Sequence, residues 1–225
     1  MYLHRIHLDP RSREARRDLA DPYEMHSTLC RAFSAPDIKC PEGEFLWRLE
    51  PETDGGGNPR VIIQSRSLPD WSRIAADWFS GSPAAPVNIL ERLRLNALKP
   101  GAKFRFRLRA NPSVTRNGKR LGLLRAPEQE LWLDRKGREQ HGFALPYLAG
   151  AEEPDGQAKR VAVRISQERM LHGRRRNGIE IRLFSALYDG VLNVTEPEAF
   201  RAAFQKGIGH GKTMGLGLLS IVPVF

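Results

Sequence analysis

Between Phe104 and Ala110 the chain reads Phe-Arg-Phe-Arg-Leu-Arg-Ala, an alternation of apolar and cationic residues with a period of two. Side chains of a strand alternate between its faces, so this run is a strand with one face packed and Arg105, Arg107 and Arg109 on the other. Such a strand suits an antiparallel sheet covered on one side only. Lys99-Pro100-Gly101, just ahead of it, marks a turn and a domain boundary.

The elements on either side follow one order, with an extra hairpin in the second half. Before the boundary, Tyr2 to Leu8 alternates as a first strand. A helix then starts at a well-marked cap: Asp21 precedes Pro22 at the first helical position, and Glu24 completes a capping box. It runs to Phe33, and the charged connector ahead of it is itself partly helical. Phe45–Leu49 and Arg60–Gln64 read as strands joined by Asp54-Gly55-Gly56-Gly57-Asn58, a loop that needs permissive backbone. Asp70 to Phe79 is expected as a short helix and Ile89 to Leu95 as a strand.

After the boundary come the Phe104 strand, a helix from Pro127 to His141, a strand around Val161–Ile165, and two strands in 179–195 folded at Asp189-Gly190. A helix over Glu196–Gln205, capped by Thr195, and a last strand from Met214 to Val224 complete the set. Strand, helix, strand, strand, helix, strand is the split βαβ arrangement. The expected fold class is therefore α+β: two tandem ferredoxin-like (RRM-like) domains with antiparallel sheets, residues 1–98 and 99–225.

Charge divides along the same line. The 225 residues hold 36 Lys+Arg against 26 Asp+Glu, a net of +10. Residues 1–98 hold 13 against 14, leaving 23 against 12 to residues 99–225. The whole cationic excess thus belongs to the second half, as expected when one domain grips a polyanion and the other does something else. A chance asymmetry on a solvated surface reads the same way. No apolar run approaches the ~18 residues of a membrane span, and the charged start is no signal peptide. Cys30 and Cys40 make neither a CxxC nor a disulfide framework, which fits a reducing cytoplasm. Nucleic acid is the leading partner class.

Besides Arg105, Arg107 and Arg109, cations gather in three places. Arg116, Lys119 and Arg120 surround Asn117-Gly118, and Arg164 and Arg169 lead into Gly173-Arg174-Arg175-Arg176-Asn177-Gly178, a basic loop between two strands. The third is the glycine-rich end, where Gly211-Lys212-Thr213 mimics the close of a phosphate-binding loop. That match fails, because Lys206 stands where the first glycine belongs and a strand follows instead of a helix. Lys212 remains a candidate phosphate contact, and a tight turn into a buried strand is the plain alternative.

On the first capped helix, Met25, Leu29, Ala32 and Phe33 form the apolar stripe. Tyr23 and His26 share a neighbouring face near the helix N-terminus, with Cys30 following. A histidine beside a phenol is equipment for proton transfer at a phosphodiester, though by residue type alone a surface histidine without a task looks identical. The six histidines show no HExxH, and no tight acidic cluster suggests a two-metal nuclease. Neither a metal nor a cofactor is expected.

These segments together resemble the CasE (Cse3) family, the CRISPR RNA-processing endoribonucleases of type I-E systems. The resemblance rests on the opening strand, on Arg16-Arg17-Asp18-Leu19-Ala20-Asp21-Pro22-Tyr23-Glu24-Met25-His26, on the Phe104–Pro112 stretch, and on the close from Gly207 to Val224. It runs nearly the full length and implies tandem ferredoxin-like domains. It also implies binding to the stem-loop of a CRISPR repeat RNA, cleavage at the base of the stem, and a place beside the other Cascade subunits. By position it carries the family's catalytic histidine onto His26 and the tyrosine of some members onto Tyr23, which places catalysis in residues 1–98, while the charge division places RNA binding in 99–225. A non-catalytic RNA-binding scaffold of the same complex is the alternative.

Overall fold

The computed structural model describes residues 1–148, 160–175 and 177–224, so Arg176 and the connector over residues 152–157 lie outside the described residues. By packing, the chain divides into two compact units. One contains Met1–Arg94 with Leu171–Arg182 and Gly211–Leu216; the other contains Leu95–Met170, Leu183–His210 and Gly217–Phe225. The first division falls near the turn read from Lys99-Pro100-Gly101. The later excursions, which bring Arg174, Arg175 and Lys212 into the first unit, carry no local signal.

In the first unit, β1 (Tyr2–His7), β2 (Phe45–Thr53), β3 (Pro59–Ser65) and β4 (Val87–Asn88) form an antiparallel sheet in the order β2-β3-β1-β4. Helices α1 (Arg13–Ala20) and α2 (Pro22–Phe33) precede β2. Ser12 caps α1, and Asp21 caps α2 ahead of Pro22. Met25, Leu29 and Ala32 bury the apolar stripe of α2 against Ile6, Phe45, Trp47, Val61 and Ile63. Asp18, buried on α1, accepts from Trp78 Nε1 at 2.9 Å and pairs with Arg17 at 2.7 Å, which ties that helix to the core.

Two expected elements of this unit differ. In place of a helix over 70–79 there are single 3-10 turns at Trp71–Arg73 and Ala76–Trp78. The backbone of residues 78–80 is engaged with the end of β1, through Asp9 N–H to Trp78 O and Ser80 N–H to His7 O, and a strand-like pairing there cannot also be helical. The strand expected over 89–95 shrinks to Val87–Asn88, followed by a short helix, α3 (Ile89–Arg92). The register Tyr2↔Asn88 leaves the residues after Ile89 beyond the end of β1.

The second unit repeats the arrangement. Its sheet is built from β5 (Lys103–Ala110), β8 (Phe143–Ala144), β9 (Val163–Arg174), β10 (Glu180–Val194) and β11 (Leu219–Pro223), ordered β11-β5-β10-β8 with β9 also on β10; the ends of β9 and β10 within Leu171–Arg182 belong to the first unit. A hairpin of β6 (Ser113–Arg116) and β7 (Lys119–Gly122) stands apart as its own two-stranded sheet. Helices α4 (Ala126–Lys136) and α5 (Pro197–Lys206) complete the unit. Phe104, Phe106 and Leu108 of β5 are buried, with Phe104 stacked on Phe200 of α5 at 5.8 Å.

Asp189-Gly190 is not a turn. Strand β10 runs straight through it, with Asp189 opposite Arg107 and Gly190 opposite Phe106. The glycine eases a close approach, since a Cβ there would lie 3.1 Å from the Phe106 ring and 3.2 Å from the Ala162 carbonyl oxygen. The turn of the long hairpin falls instead at Arg175–Gly178, closed by Gly178 N–H to Arg175 O. Two smaller expectations also move: Glu196, not Thr195, is the N-cap of α5, and the last strand begins at Leu219, after a 3-10 turn at Lys212–Met214.

Candidate active site

Asp21 starts α2 by accepting the Tyr23 backbone N–H on Oδ1 at 2.8 Å. With Met25, Thr28, Leu29 and Ala32 committed to the core, Tyr23, His26 and Cys30 fall on the flank of the helix. That flank lines a cleft of about 970 Å³, which Arg31, Lys39 and Arg73 also border. The glycine-rich turn contributes Thr213 to the same wall.

His26 is half-buried. Its ring lies 5.0 Å from that of Phe45, which stacks in turn on Phe33. Nε2 is 3.6 Å from the Cys30 sulfur, and Nδ1 is buried without a hydrogen-bond partner. Burial disfavours the imidazolium and pulls the His26 pKa down to about 4. The same burial pushes the Cys30 thiol up to about 12. Near neutrality both groups are uncharged, so the imidazole is ready to accept a proton and the thiol is a poor nucleophile.

The cations of the cleft are held in different ways. Arg31 is tied to Glu14 of α1 and reaches Thr28 Oγ1 at 3.2 Å. Arg73 pairs with Asp70 at 2.9 Å, and the Asp70 N–H donates to Ala32 O at 2.8 Å, which pins that turn to the end of α2. None of the three was a sequence candidate. Arg31 was visible on the same helix, two turns beyond Tyr23, whereas Lys39 and Arg73 come from segments whose return to α2 no local pattern encodes.

The predicted cations divide by environment. Arg105, Arg116, Lys119, Arg120, Arg164, Arg169, Arg174, Arg175 and Lys212 are exposed. Arg107 is partly buried in an ion pair with Asp189 at 2.7 Å. Arg109 is 3% exposed, with its guanidinium donating to both the backbone and side-chain oxygens of Gln167 at 3.2 and 3.1 Å. The three arginines of the alternating strand therefore do not form one open row. Among the described residues, no three His, Cys, Asp or Glu side chains converge as metal ligands, and no helix is long and apolar enough to cross a membrane.

Fold and cleft together define a tandem ferredoxin-like protein with a histidine-bearing cleft ringed by cations. The sequence signature of the CRISPR-associated protein family matches residues 1–223. The CRISPR-associated endoribonuclease Cse3 of Thermus thermophilus is 39% identical over 99% of this chain and the whole of that protein. The CRISPR system Cascade subunit CasE of Escherichia coli is 26% identical, covering 91% of this chain and 93% of the other. A solved structure of Thermus thermophilus Cse3 bound to an RNA representing a pre-cleavage complex matches with a TM-score of 0.79 at 39% identity, covering 99% of this chain and 98% of that one. The chain belongs to the CRISPR-associated protein family, and within it to the CasE (Cse3) group.

Proposed function

We propose that this chain is an endoribonuclease that matures CRISPR RNA without a metal ion. It binds the stem-loop of a repeat transcript, cuts at the base of the stem, and stays on its product as a subunit of Cascade in the cytoplasm. The observation that carries this reading is the α2 flank, where Tyr23 and His26 share one cleft with Arg31, Lys39 and Arg73.

In this reading the 2′-hydroxyl before the scissile bond attacks its own phosphate in line, leaving a 2′,3′-cyclic phosphate and a 5′-hydroxyl. The paired stem holds the reacting atoms in that alignment. His26, neutral through burial, takes the 2′-hydroxyl proton. The Tyr23 phenol protonates the departing 5′-oxygen, and the imidazolium then returns a proton to the phenolate. Arg31, Lys39 and Arg73 offset the charge that builds on the phosphorane. The residues 1–98 domain carries this chemistry. The exposed cations Arg105, Arg116, Lys119, Arg120, Arg164 and Arg169, with Arg174, Arg175, Arg176 and Lys212, supply phosphate contacts, and a narrow arginine-bearing hairpin suits the deep major groove of A-form RNA.

The test is single-turnover incubation with a repeat stem-loop RNA in EDTA. Specific cleavage is expected, lost in His26→Ala with binding retained, and blocked by deoxyribose at the attacking nucleotide. The buried, unpartnered Nδ1 of His26 and the contact of its Nε2 with Cys30 favour one second reading, a non-catalytic RNA-binding scaffold. RNA that stays bound and uncut in this experiment would establish that instead.

A further inference from the structure

Asp21 has every polar group engaged. Its backbone N–H closes α1 on Arg17 O at 3.0 Å, and its carbonyl accepts from Met25 N–H at 3.1 Å in the first turn of α2. Carboxylate Oδ1 caps the Tyr23 N–H at 2.8 Å. The other oxygen, Oδ2, leaves the helix and accepts the backbone N–H of Arg174 at 3.1 Å, 153 residues away in sequence. One carboxylate thus bridges the start of the helix that carries Tyr23 and His26 to the tip of the arginine-bearing β9–β10 hairpin.

The approach is built in. Residue 173 is glycine, and a Cβ there would lie 3.1 Å from Asp21 Oδ1 and 2.8 Å from Met214 Cε. Met214 is buried in the turn that places Thr213 on the cleft wall, and the adjoining Gly215 sits so close to Trp47 of β2 that a Cβ would be 2.9 Å from its ring. Leu171–Arg182, Gly211–Leu216 and Met1–Arg94 pack as one unit, so this junction is part of a single body. Arg174 and Arg175 project from it, exposed, beside Arg17, Asp21 and Glu24 around a hollow of about 530 Å³.

An N-cap needs only one acceptor oxygen, which serine or asparagine supplies as well as aspartate. The second oxygen is in excess of what the helix requires, and a negative charge beside Arg174 and Arg175 weakens their hold on phosphate. Beyond the cap, the carboxylate makes one further contact, the bond from the Arg174 N–H. We propose that Asp21 is a positioning residue: phosphates seated on Arg174 and Arg175 set the hairpin tip, and the Arg174 N–H to Oδ2 bond transmits that setting to the first turn of α2, aligning Tyr23 and His26 for cleavage. This rests on the reading of His26 as the catalytic base.

Asp21→Asn separates the two tasks. Its side-chain oxygen still caps Tyr23, but its NH2 group faces the Arg174 N–H, donor against donor. Asp21→Ser keeps the cap and lacks the second oxygen. Both variants are expected to bind a repeat stem-loop as tightly as the parent protein or tighter, with a melting temperature lowered by no more than a few degrees. At saturating RNA, their single-turnover cleavage should be at least about tenfold slower, as for a small misplacement of reacting groups. Gly173→Ala, whose Cβ crowds the Asp21 carboxylate and the Met214 tip, should reproduce this split between binding and rate in a weaker form. His26→Ala is run beside them. If it is inactive while both Asp21 variants cleave at the parental rate when saturated, the coupling is overturned and the catalytic reading stands. If His26→Ala cleaves normally, the underlying reading fails. Variants whose only defect is weaker binding, with the saturated rate intact, also overturn the proposal.

Discussion

His26 Nε2 stands 3.6 Å from the sulfur of Cys30, one turn further along α2, and the imidazole packs against the Phe45 ring at 5.0 Å. The pair is neutral on both sides near pH 7, since burial lowers the histidine to about 4 and raises the thiol to about 12. A catalytic imidazole is usually tuned close to the working pH. Here desolvation keeps the His26 imidazole neutral in the free protein near pH 7, the state that the proposed role as a base requires.

The pH profile follows from that state. The pH dependence of kcat/KM reports groups of the free enzyme. Its acid limb should therefore have its midpoint near pH 4, with no inflection from His26 around 6.5. Single-turnover rates at limiting protein, from pH 3.5 to 8, measure this directly. A limb at 6.5 would contradict the assignment of His26 as a buried neutral base.

Trimming Cys30 should change the titration of His26. In Cys30→Ala, water gains access to Nε2, so the histidine pKa should rise toward 6.5 at a cost of about 1 kcal/mol in stability. Cys30→Val, of similar bulk, should keep the ring dry and the pKa low. NMR titration of the imidazole resonances distinguishes the two. A pKa that stays near 4 in both variants would place the desolvation on Phe45 alone.

Arg105 and Arg109, four residues apart on one strand, should behave oppositely. Arg109 is buried and donates twice to Gln167, whose φ of 52° marks a break in the regular path of β9. Arg109→Ala leaves those acceptors unsatisfied and should cost about 2–4 kcal/mol in a urea melt. Arg105 is exposed. Its alanine variant should stay within about 0.5 kcal/mol of the parent and reduce the slope of log K against log salt by about 1. Equal effects on stability would refute the distinction.

Acid should destabilise the protein through His4 as well. This histidine is 1% exposed, its Nε2 lies 2.9 Å from Ser65 Oγ, and burial lowers its pKa to about 4. The Ser65 hydroxyl is spent on Ser67 O at 2.7 Å, so the imidazole is the donor in the first bond. The unfolded chain takes up a proton near pH 6.5 and the folded chain only near 4. Stability is therefore complete above about 6.5 and falls as pH drops through this window, by up to about 3 kcal/mol for each such histidine. His26 adds to the fall in the same range. Urea midpoints at pH 7.5, 5.5 and 4.5 should decline accordingly, and His26→Gln should flatten the decline.

Much of the frame was legible because its signals are local. The capping box at Asp21 marks α2 within one residue, and its apolar spacing separates the core stripe from the flank that bears Tyr23 and His26. The alternation from Phe104 marks β5 in the same way. Where local chemistry pointed the wrong way, a distant partner had prevailed. Asp189-Gly190 carries a turn signal, yet continuous pairing with β5 and the Phe106 ring above the glycine keep it extended. Residues 70–79 have a helical start, yet bonding of residues 78–80 to the end of β1 limits them to single turns.

The amino-acid order alone settles which side chains share a helix face or a strand face, since periodicity and caps act over four residues or fewer. It settles that a histidine and a tyrosine lie together at the start of a helix and that cations crowd the second half. Whether each is buried or open depends on what arrives from elsewhere in the chain. Arg109 is buried with its guanidinium on the carbonyl of Gln167, Phe45 and Cys30 partly desolvate His26, and Lys39, Arg73 and the Arg174 backbone reach α2 from distant segments. Desolvation and long-range pairing are properties of the assembled core, and they convert a pattern of residues into an acid, a base or a structural bond.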